Sequence, residues 1–278
     1  MKKILAVLLS ALMIFAVLVP TVAAEEKKLS FLSLGDSIAA GAGLADPDTM
    51  TYGAIVSYTN GYNFKNDAVN GHQTKNLLKR VLQTASVRED IANADIICIS
   101  IGGNDFIQSD IMSLIKQAVI DNDYSQFDKI TATAKYNLGL IINEIKGINP
   151  NATILMQTLY NPMYLSKEVR EAYQQGLNRL NGAIRSYLDA HPGAYTIVDV
   201  EPAFSGDSSL IAPDTIHPNP KGHRLIAKTV LGVLKELGLG EQTEISLPNK
   251  FQAKLVEIFQ KVMNYFKELI SKLFKFAK

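Results

Sequence analysis

The chain of 278 residues carries 28 basic and 27 acidic side chains, a net charge of +1 with neutral histidines. This length accommodates one large or two small domains. The charge is unevenly distributed: residues 250–278 carry seven lysines against two glutamates, which leaves residues 25–249 at about −6. An acidic body of this kind excludes nucleic acid as an expected partner.

Residues 1–24 have the layout of a secretory signal peptide. Two lysines precede an apolar stretch over residues 4–19, and small residues at 22–24 predict cleavage after Ala24. The stretch is short for a bilayer span, which needs roughly 20 residues. We therefore expect a secreted, extracellular protein. An uncleaved leader that anchors the chain in a membrane is the alternative.

Strand-like and helix-like segments alternate after the leader. The apolar segments predict five strands at Leu29–Leu34, Asn63–Val69, Asp95–Ile101, Ala152–Thr158 and Tyr195–Val200. Helical patterns lie between or after them at Tyr52–Tyr58, Lys75–Leu82, Val87–Ala92, Ile107–Lys146 (as two helices), 166–190 and Pro220–Leu237. This order predicts an α/β domain over residues 25–240, with a five-stranded parallel sheet in a three-layer α/β/α arrangement. The only cysteine, Cys98, is expected to be buried in the third strand.

The first strand ends abruptly at Gly35-Asp36-Ser37. A tight turn there would hold the Ser37 hydroxyl at the C-terminal edge of the sheet, where ligands bind in open α/β sheets. The alternative is an ordinary strand-to-helix turn that is capped by Asp36 or Ser37.

Three later segments also follow strands or precede the last helix. Gly71 follows the second strand, Asn104 follows the third, and Asp214 stands three residues before His217. Each has a simpler interpretation: a turn glycine, an Asx turn or helix cap, and a surface Asp beside a capping His. Asp105 is the better candidate for the helix cap.

Together these residues satisfy the needs of acyl transfer to a serine. Ser37 needs a base, which His217 can supply, and Asp214 can orient that base through its ring N–H. An oxyanion needs donors, for which we identify the backbone N–H groups of Ser37 and Gly71 and the Asn104 amide. Neither a metal nor a cofactor is needed for this chemistry.

The same segments resemble the four blocks of the GDSL, or SGNH, hydrolases, in the family's order. The resemblance rests on Gly35-Asp36-Ser37, Gly71, Gly103-Asn104-Asp105 and Asp214-x-x-His217, and it spans residues 31–217. It departs from the family pattern at Ile38, where Leu is usual, and around Gly71, where Ser-Gly-x-Thr is frequent. It implies a flavodoxin-like fold and a metal-free Ser-His-Asp mechanism with the same residue roles.

The functional prediction is a secreted serine esterase or lipase that acts on acyl, preferably lipid, esters. The preference for lipid esters rests on residues 214–226, DTIHPNPKGHRLI, which are similar to lipase-like bacterial members of the family. The alternatives are an O-acetylesterase of carbohydrate or cell wall, and a non-catalytic membrane- or envelope-binding protein on the same fold. Acyl transfer to a second alcohol would use the same residues as hydrolysis.

The segment 250–278 follows a polar linker at 241–249 and predicts a cationic amphipathic helix. Its apolar residues recur at three- and four-residue spacing, and lysines occupy most of the remaining surface. Such a helix favours an anionic membrane surface and would associate the protein with a membrane or the envelope. The alternative is that its apolar face packs on the catalytic domain or on a second copy.

Overall fold

The computed structural model describes residues 28–163, 166–204 and 206–247. The predicted signal peptide at 1–24 and the predicted helix at 250–278 lie outside these residues. Within the described ranges, no helix combines the length and the apolarity needed to cross a bilayer.

A five-stranded parallel sheet lies at the centre of the fold, as the sequence predicts. Its strands are β1 (Ser30–Gly35), β2 (Asn63–Asn66), β3 (Ile96–Ser100), β4 (Thr153–Gln157) and β5 (Thr196–Val198). Their spatial order is β2-β1-β3-β4-β5, and every neighbouring pair is parallel. This is the flavodoxin-like order, in which the connections from β1 and β3 leave a crevice between the carboxyl ends of these two strands.

Helices cover both faces of the sheet. They are α1 (Ser37–Ala40), α2 (Pro47–Met50), α3 (Tyr52–Asn60), α4 (Thr74–Gln83), α5 (Ala85–Asn93), α6 (Gly103–Ile107), α7 (Ile111–Asp121), α8 (Ser125–Ile148), α9 (Lys167–Ala190), α10 (Val200–Phe204) and α11 (Pro220–Glu236). The predicted start of the last helix is confirmed: Asn219 accepts hydrogen bonds from the first turn, and Pro220 is the first helical residue.

Alternate residues of the central strands point into two separate cores. Ile97 and Ile99 pack with α4, α5 and α8, whereas Ile96 and Cys98 pack with α3 and α11. Both faces of a parallel sheet are covered, so these strands form continuous apolar runs. Cys98 is fully buried, as predicted, and burial raises the pKa of its thiol to about 12.

The two helices predicted between Ile107 and Lys146 are confirmed as α7 and α8. The sequence patterns missed the short helix α6, which begins at Gly103 and ends before α7. The edge strands β2 and β5 are also shorter than predicted. Each has a strand partner on only one side, so its ladder ends sooner than that of a central strand.

The first part of the predicted linker runs along α3. The Asn60 carboxamide accepts a hydrogen bond from the N–H of Gln242 at 3.1 Å, and the Thr59 hydroxyl accepts one from Ser246 at 3.2 Å. Ile245 packs against the same core cluster as α3 and α11. The described chain therefore ends against the α/β domain, beside α3.

Gly35 offers a direct test of the packing between β1 and β3. A Cβ at this position would lie 1.9 Å from the carbonyl oxygen of Ser100, and the backbone has a φ of +137°. We expect Gly35→Ala to lower the free energy of unfolding by more than about 2 kcal/mol, from this overlap and the strained backbone. Urea denaturation followed by circular dichroism measures the change.

The matched control is Gly147→Ala in α8, where an added Cβ meets no atom within 4 Å. Alanine is the better helix former, so this variant should gain about 0.5–1 kcal/mol. Wild-type stability in the Gly35 variant would contradict the close approach of the two strands.

Candidate active site

Ser37 is presented by the turn that ends β1. The N–H of Asp36 donates to the carbonyl of Ser100 at 3.1 Å, and the Asp36 carboxylate accepts the N–H of Ile38 at 3.0 Å. Asp36 is therefore the N-cap of α1, and Ser37 is its first residue. The Ser37 residue is 9% exposed, at the carboxyl edge of the sheet.

Asp214 and His217 are brought together by their own local turn. One carboxylate oxygen, Oδ1, accepts the backbone N–H groups of Ile216 and His217, both at 3.0 Å. Thr215, which follows Asp214, has a φ of +65°, which is uncommon for a residue with a branched side chain. The other oxygen, Oδ2, lies 2.7 Å from Nδ1 of His217. The carboxylate therefore shapes the turn and contacts the ring at the same time.

The imidazole joins this turn to Ser37. Nε2 of His217 lies 2.8 Å from the Ser37 hydroxyl, although the two residues are 180 positions apart in the chain. Burial raises the pKa of Asp214, but hydrogen bonds from His217 and Ile216 outweigh that effect and the net pKa is lowered. An ionised carboxylate favours a proton on Nδ1, which leaves Nε2 free to accept the Ser37 proton.

Tyr160 supports the turn at residues 214–217, here called the histidine turn, and the sequence patterns did not identify this residue. Its hydroxyl donates to the carbonyl of Ile216 at 2.8 Å, and its ring stacks on Phe204 with 4.1 Å between centroids. The residue lies in the segment after β4, which has no motif of its own. Only the position of that segment beside the turn reveals its contribution.

Gly71 reaches the site through the segment that follows β2. The N–H of Val69 donates to the carbonyl of Gly35 at 3.1 Å, which brings this segment alongside the end of β1. Gly71 has a φ of +76°. Among the described residues, the backbone N–H groups of Ser37 and Gly71 have no hydrogen-bond acceptor. Both are therefore available to a ligand.

Asn104 lies on α6, directly after β3. Its Nδ2 donates to the carbonyl of His72 at 3.0 Å. A carboxamide nitrogen carries two hydrogens, so a second donor remains for a ligand. The bond to His72 also fixes the plane of the amide, and hence the direction in which that donor points.

Asp105 caps a helix other than the one expected. Its carboxylate accepts the N–H of Thr74 at 2.9 Å and the Thr74 hydroxyl at 2.6 Å, so it binds the start of α4. The same hydroxyl accepts Nδ2 of Asn137 at 3.0 Å. The prediction of a cap on its own helix is wrong, because α4 packs close enough to offer an N–H that lacks an acceptor within its own helix.

The remaining histidines do not contact the Ser37 hydroxyl. His72 contributes its carbonyl to the site, and burial lowers the pKa of its ring. His223 is fully buried, its Nδ1 accepts the N–H of Tyr52 at 3.3 Å, and burial lowers its pKa to about 4. It is therefore part of the core between α3 and α11. His191 is the C-cap of α9.

No group of three or more His, Cys, Asp or Glu side chains is arranged to hold a metal ion within the described ranges.

Asp36, which directly precedes Ser37, is a buried carboxyl with a shifted pKa. Burial raises its pKa from 3.8 to about 7. The hydrogen bond from the N–H of Ile38 lowers the pKa in part, and the charge of Asp105 raises it.

The raised pKa of Asp36 predicts a pH-dependent stability. The folded state binds a proton on the Asp36 carboxyl more tightly than the unfolded state does, so protonation of Asp36 stabilises the fold. This stabilisation is largest below about pH 4 and is lost as the pH rises through about 7. Asp36→Asn keeps the capping oxygen and removes the titration. We expect the stability advantage of wild type over this variant to shrink as the pH rises, as measured by urea midpoints between about pH 4.5 and 8.

Asp207→Asn is the matched control, since Asp207 is an exposed cap whose pKa is lowered by its bonds to Ser209. Its effect on the midpoint should be flat across the same range. Equal pH dependence in wild type and the Asp36 variant would contradict the raised pKa.

Comparison with known proteins shows the same fold in solved structures. A lipase, Lip_vut3, from a goat rumen metagenome aligns with a TM-score of 0.59 at 20% identity, over 77% of this chain and 99% of the lipase. An extracellular lipase from Streptomyces rimosus and a phospholipase A1 from Streptomyces albidoflavus NA297 each align with a TM-score of 0.58 at 20% identity, over 75% of this chain and 99% of theirs. At this identity the likeness establishes the fold.

Sequence comparison extends the likeness to a named relative and to a family. The uncharacterized protein YpmR of Bacillus subtilis (strain 168) is 27% identical over 226 residues, which are 76% of this chain and 83% of YpmR. The model of the GDSL-like lipase/acylhydrolase family matches residues 33–225, from β1 into α11. This match includes all the segments that meet at Ser37, and the chain belongs to the GDSL-like lipase/acylhydrolase family.

Proposed function

We propose that the protein is a secreted serine esterase or lipase that hydrolyses acyl esters through Ser37, His217 and Asp214. The observation that carries the proposal is the line of contacts from Asp214 through His217 to the Ser37 hydroxyl, at 2.7 and 2.8 Å. This is the geometry of an activated nucleophile with an oriented base. Membership of a lipase/acylhydrolase family supports the same class of reaction.

In the first step, Ser37 Oγ attacks the carbonyl carbon of the ester while Nε2 of His217 accepts the hydroxyl proton. The carbonyl oxygen becomes an oxyanion in the tetrahedral intermediate. The N–H groups of Ser37 and Gly71 and the second amide hydrogen of Asn104 stabilise this charge. Each such donor contributes about 10²–10³ in kcat in comparable sites.

The intermediate then breaks down to an acyl-enzyme. His217 delivers its proton to the oxygen of the leaving alcohol, and the bond from that oxygen to the acyl carbon breaks. Asp214 remains ionised throughout and stabilises the imidazolium that forms in each half-reaction. A water molecule next attacks the acyl carbon with His217 as base, and the acid departs as Ser37 regains its proton.

We assign the substrate to acyl-lipid esters. The family description includes lipases, and a lipase and a phospholipase A1 share the fold. The cationic amphipathic pattern at 250–278 also suits an enzyme that works at a lipid surface. The leader at 1–24 would place this activity outside the cytoplasm.

The reaction is tested with p-nitrophenyl esters from acetyl to palmitoyl. We expect turnover by the wild type, and a fall in kcat of roughly 10⁴-fold or more in Ser37→Ala, because the nucleophile and its base act as one unit. A fluorophosphonate probe should label the wild type and leave the Ser37 variant unlabelled.

A sharp preference for acetate would replace the lipid assignment with an O-acetylesterase. Activity that survives in Ser37→Ala would contradict the triad. The absence of both turnover and labelling in the wild type would favour the non-catalytic, envelope-binding interpretation.

We further propose that residues 250–278 bind anionic membranes. The segment carries a net charge of +5, and each lysine near an anionic surface contributes about 1 kcal/mol. The last described residues are hydrogen bonded to α3 through Gln242 and Ser246. Removing residues 248–278 therefore leaves those contacts of the catalytic domain in place.

The truncated protein should lose binding to vesicles that contain anionic lipid and keep wild-type activity on a soluble ester. Vesicle co-sedimentation at low and high salt measures binding, and binding by the full chain should weaken as salt screens the lysines. Equal binding by the truncated protein would contradict the membrane proposal. A drop in its activity on the soluble ester would instead favour packing of this segment on the catalytic domain.

A further inference from the structure

Gln108 connects the two segments that supply the oxyanion donors. It directly follows α6, one turn after Asn104, and its side chain crosses to the segment after β2. There Nε2 donates to the carbonyl of Gly71 at 2.6 Å. We infer that Gln108 is a positioning residue, which anchors the turn at Gly71 through its carbonyl and so keeps the neighbouring Gly71 N–H in the orientation that the oxyanion hole requires. The inference rests on the proposed function of this site.

The donors depend on such a connection because they come from different parts of the chain. Asn104 is fixed to α6, whereas Gly71 lies in an exposed loop with no regular structure. Three hydrogen bonds link this loop to α6: the Asn104 amide donates to the carbonyl of His72, the Gln108 amide donates to the carbonyl of Gly71, and the Gln73 amide donates to the carbonyl of Asn104 at 3.3 Å. Two consecutive carbonyls of the loop are thus held by two side chains of one helical turn.

Gly71 lies inside a turn that is closed by a backbone hydrogen bond, from the N–H of His72 to the carbonyl of Val69 at 3.3 Å. Its φ of +76° lies in a region that glycine enters without strain, so side-chain packing does not hold the turn at this position. A Cβ built on Gly71 would have one atom of the described residues within 4 Å, apart from its chain neighbours, and that atom is Nε2 of Gln108. The side chain that binds the Gly71 carbonyl is therefore also the group that lies beside the open face of Gly71.

The Gln108 side chain has little role in the fold itself. The residue is exposed, and its backbone N–H donates to the carbonyl of Asn104 at 3.0 Å whatever the side chain. The deeper link between α4 and α6, from Thr74 to Asp105, does not involve it. Replacing Gln108 should therefore loosen Gly71 without unfolding the domain.

The expected effect is smaller than the loss of a donor. Removal of one oxyanion donor costs about 10²–10³ in kcat, and a donor that is mobile keeps part of its contribution. We expect a fall in kcat of about 5–30-fold with KM nearly unchanged. The contact to the oxyanion forms only in the transition state, so its weakening leaves binding of the substrate almost unaffected.

Three variants separate the hydrogen bond from the volume of the side chain. Gln108→Glu is close in shape but offers a carboxylate that cannot donate at neutral pH, and Gln108→Ala removes the contact altogether. Gln108→Lys restores a donor of similar reach. Gln83→Ala is the matched control, because Gln83 is an exposed glutamine at the end of α4 whose side chain has no hydrogen bond to the described residues.

The full-length variants are compared on a soluble p-nitrophenyl ester, with Asn104→Ala to set the scale for loss of a whole donor. We expect kcat to fall in Gln108→Ala and Gln108→Glu and to recover in part in Gln108→Lys. The affinity for a trifluoromethyl ketone should fall by the same factor, because its adduct with Ser37 places an oxyanion in the hole. Thermal midpoints should match that of the Gln83 control.

Wild-type kcat and wild-type inhibitor affinity in Gln108→Glu would overturn the inference while leaving the triad in place. A lowered thermal midpoint, or a raised KM with unchanged kcat, would show a structural or binding role and would also overturn it. A wild type that hydrolyses no ester and escapes the fluorophosphonate probe would contradict the proposed function and the inference with it.

Discussion

The close approach of Gly35 to Ser100, at the carboxyl ends of β1 and β3, is the contact on which the site depends. No side chain other than hydrogen fits between the two backbones, so Asp36 can bond the Ser100 carbonyl and the chain turns sharply. Ser37 therefore leaves the sheet at the switch point of the strand order, where a crevice must form. Asn104 enters the same crevice from the end of β3, four residues beyond Ser100.

Helix capping connects the segments around this crevice. Asp36 caps the short helix that begins with Ser37, and Asp105 caps α4 from across the site. Asp214 forms an equivalent arrangement in the histidine turn, where it accepts two backbone N–H groups. All three carboxylates act in the same way: each accepts hydrogen bonds from backbone N–H groups that have no acceptor within their own helix or turn. Burial raises the pKa of the first two, so their positions are held at a cost in stability at neutral pH.

The sequence predicted the strands of the sheet and the residues that follow them because both signals are local. Apolar runs of five or six residues that end in glycine mark central parallel strands, and β1 and β3 were found within one or two residues of their ends. The edge strands were predicted too long, since the extent of a ladder depends on its partner. The helix α6 was missed because it is only five residues long, whereas the two longer helices after it were predicted. The capping partner of Asp105 was missed because Thr74 lies 31 residues away.

The sequence by itself determined the order of elements, the carboxyl-edge location of Ser37, Gly71 and Asn104, and the short spacing that lets Asp214 reach His217. Those features depend on periodicity and on contacts within a few residues. The need of a serine nucleophile for a base had already paired His217 with Ser37. Only the tertiary structure decided the geometry of that contact across 180 residues, and that Gln108 reaches the carbonyl of Gly71. These long-range contacts have no local signal, because their geometry results from the packing of the whole sheet and of the loops at its carboxyl edge.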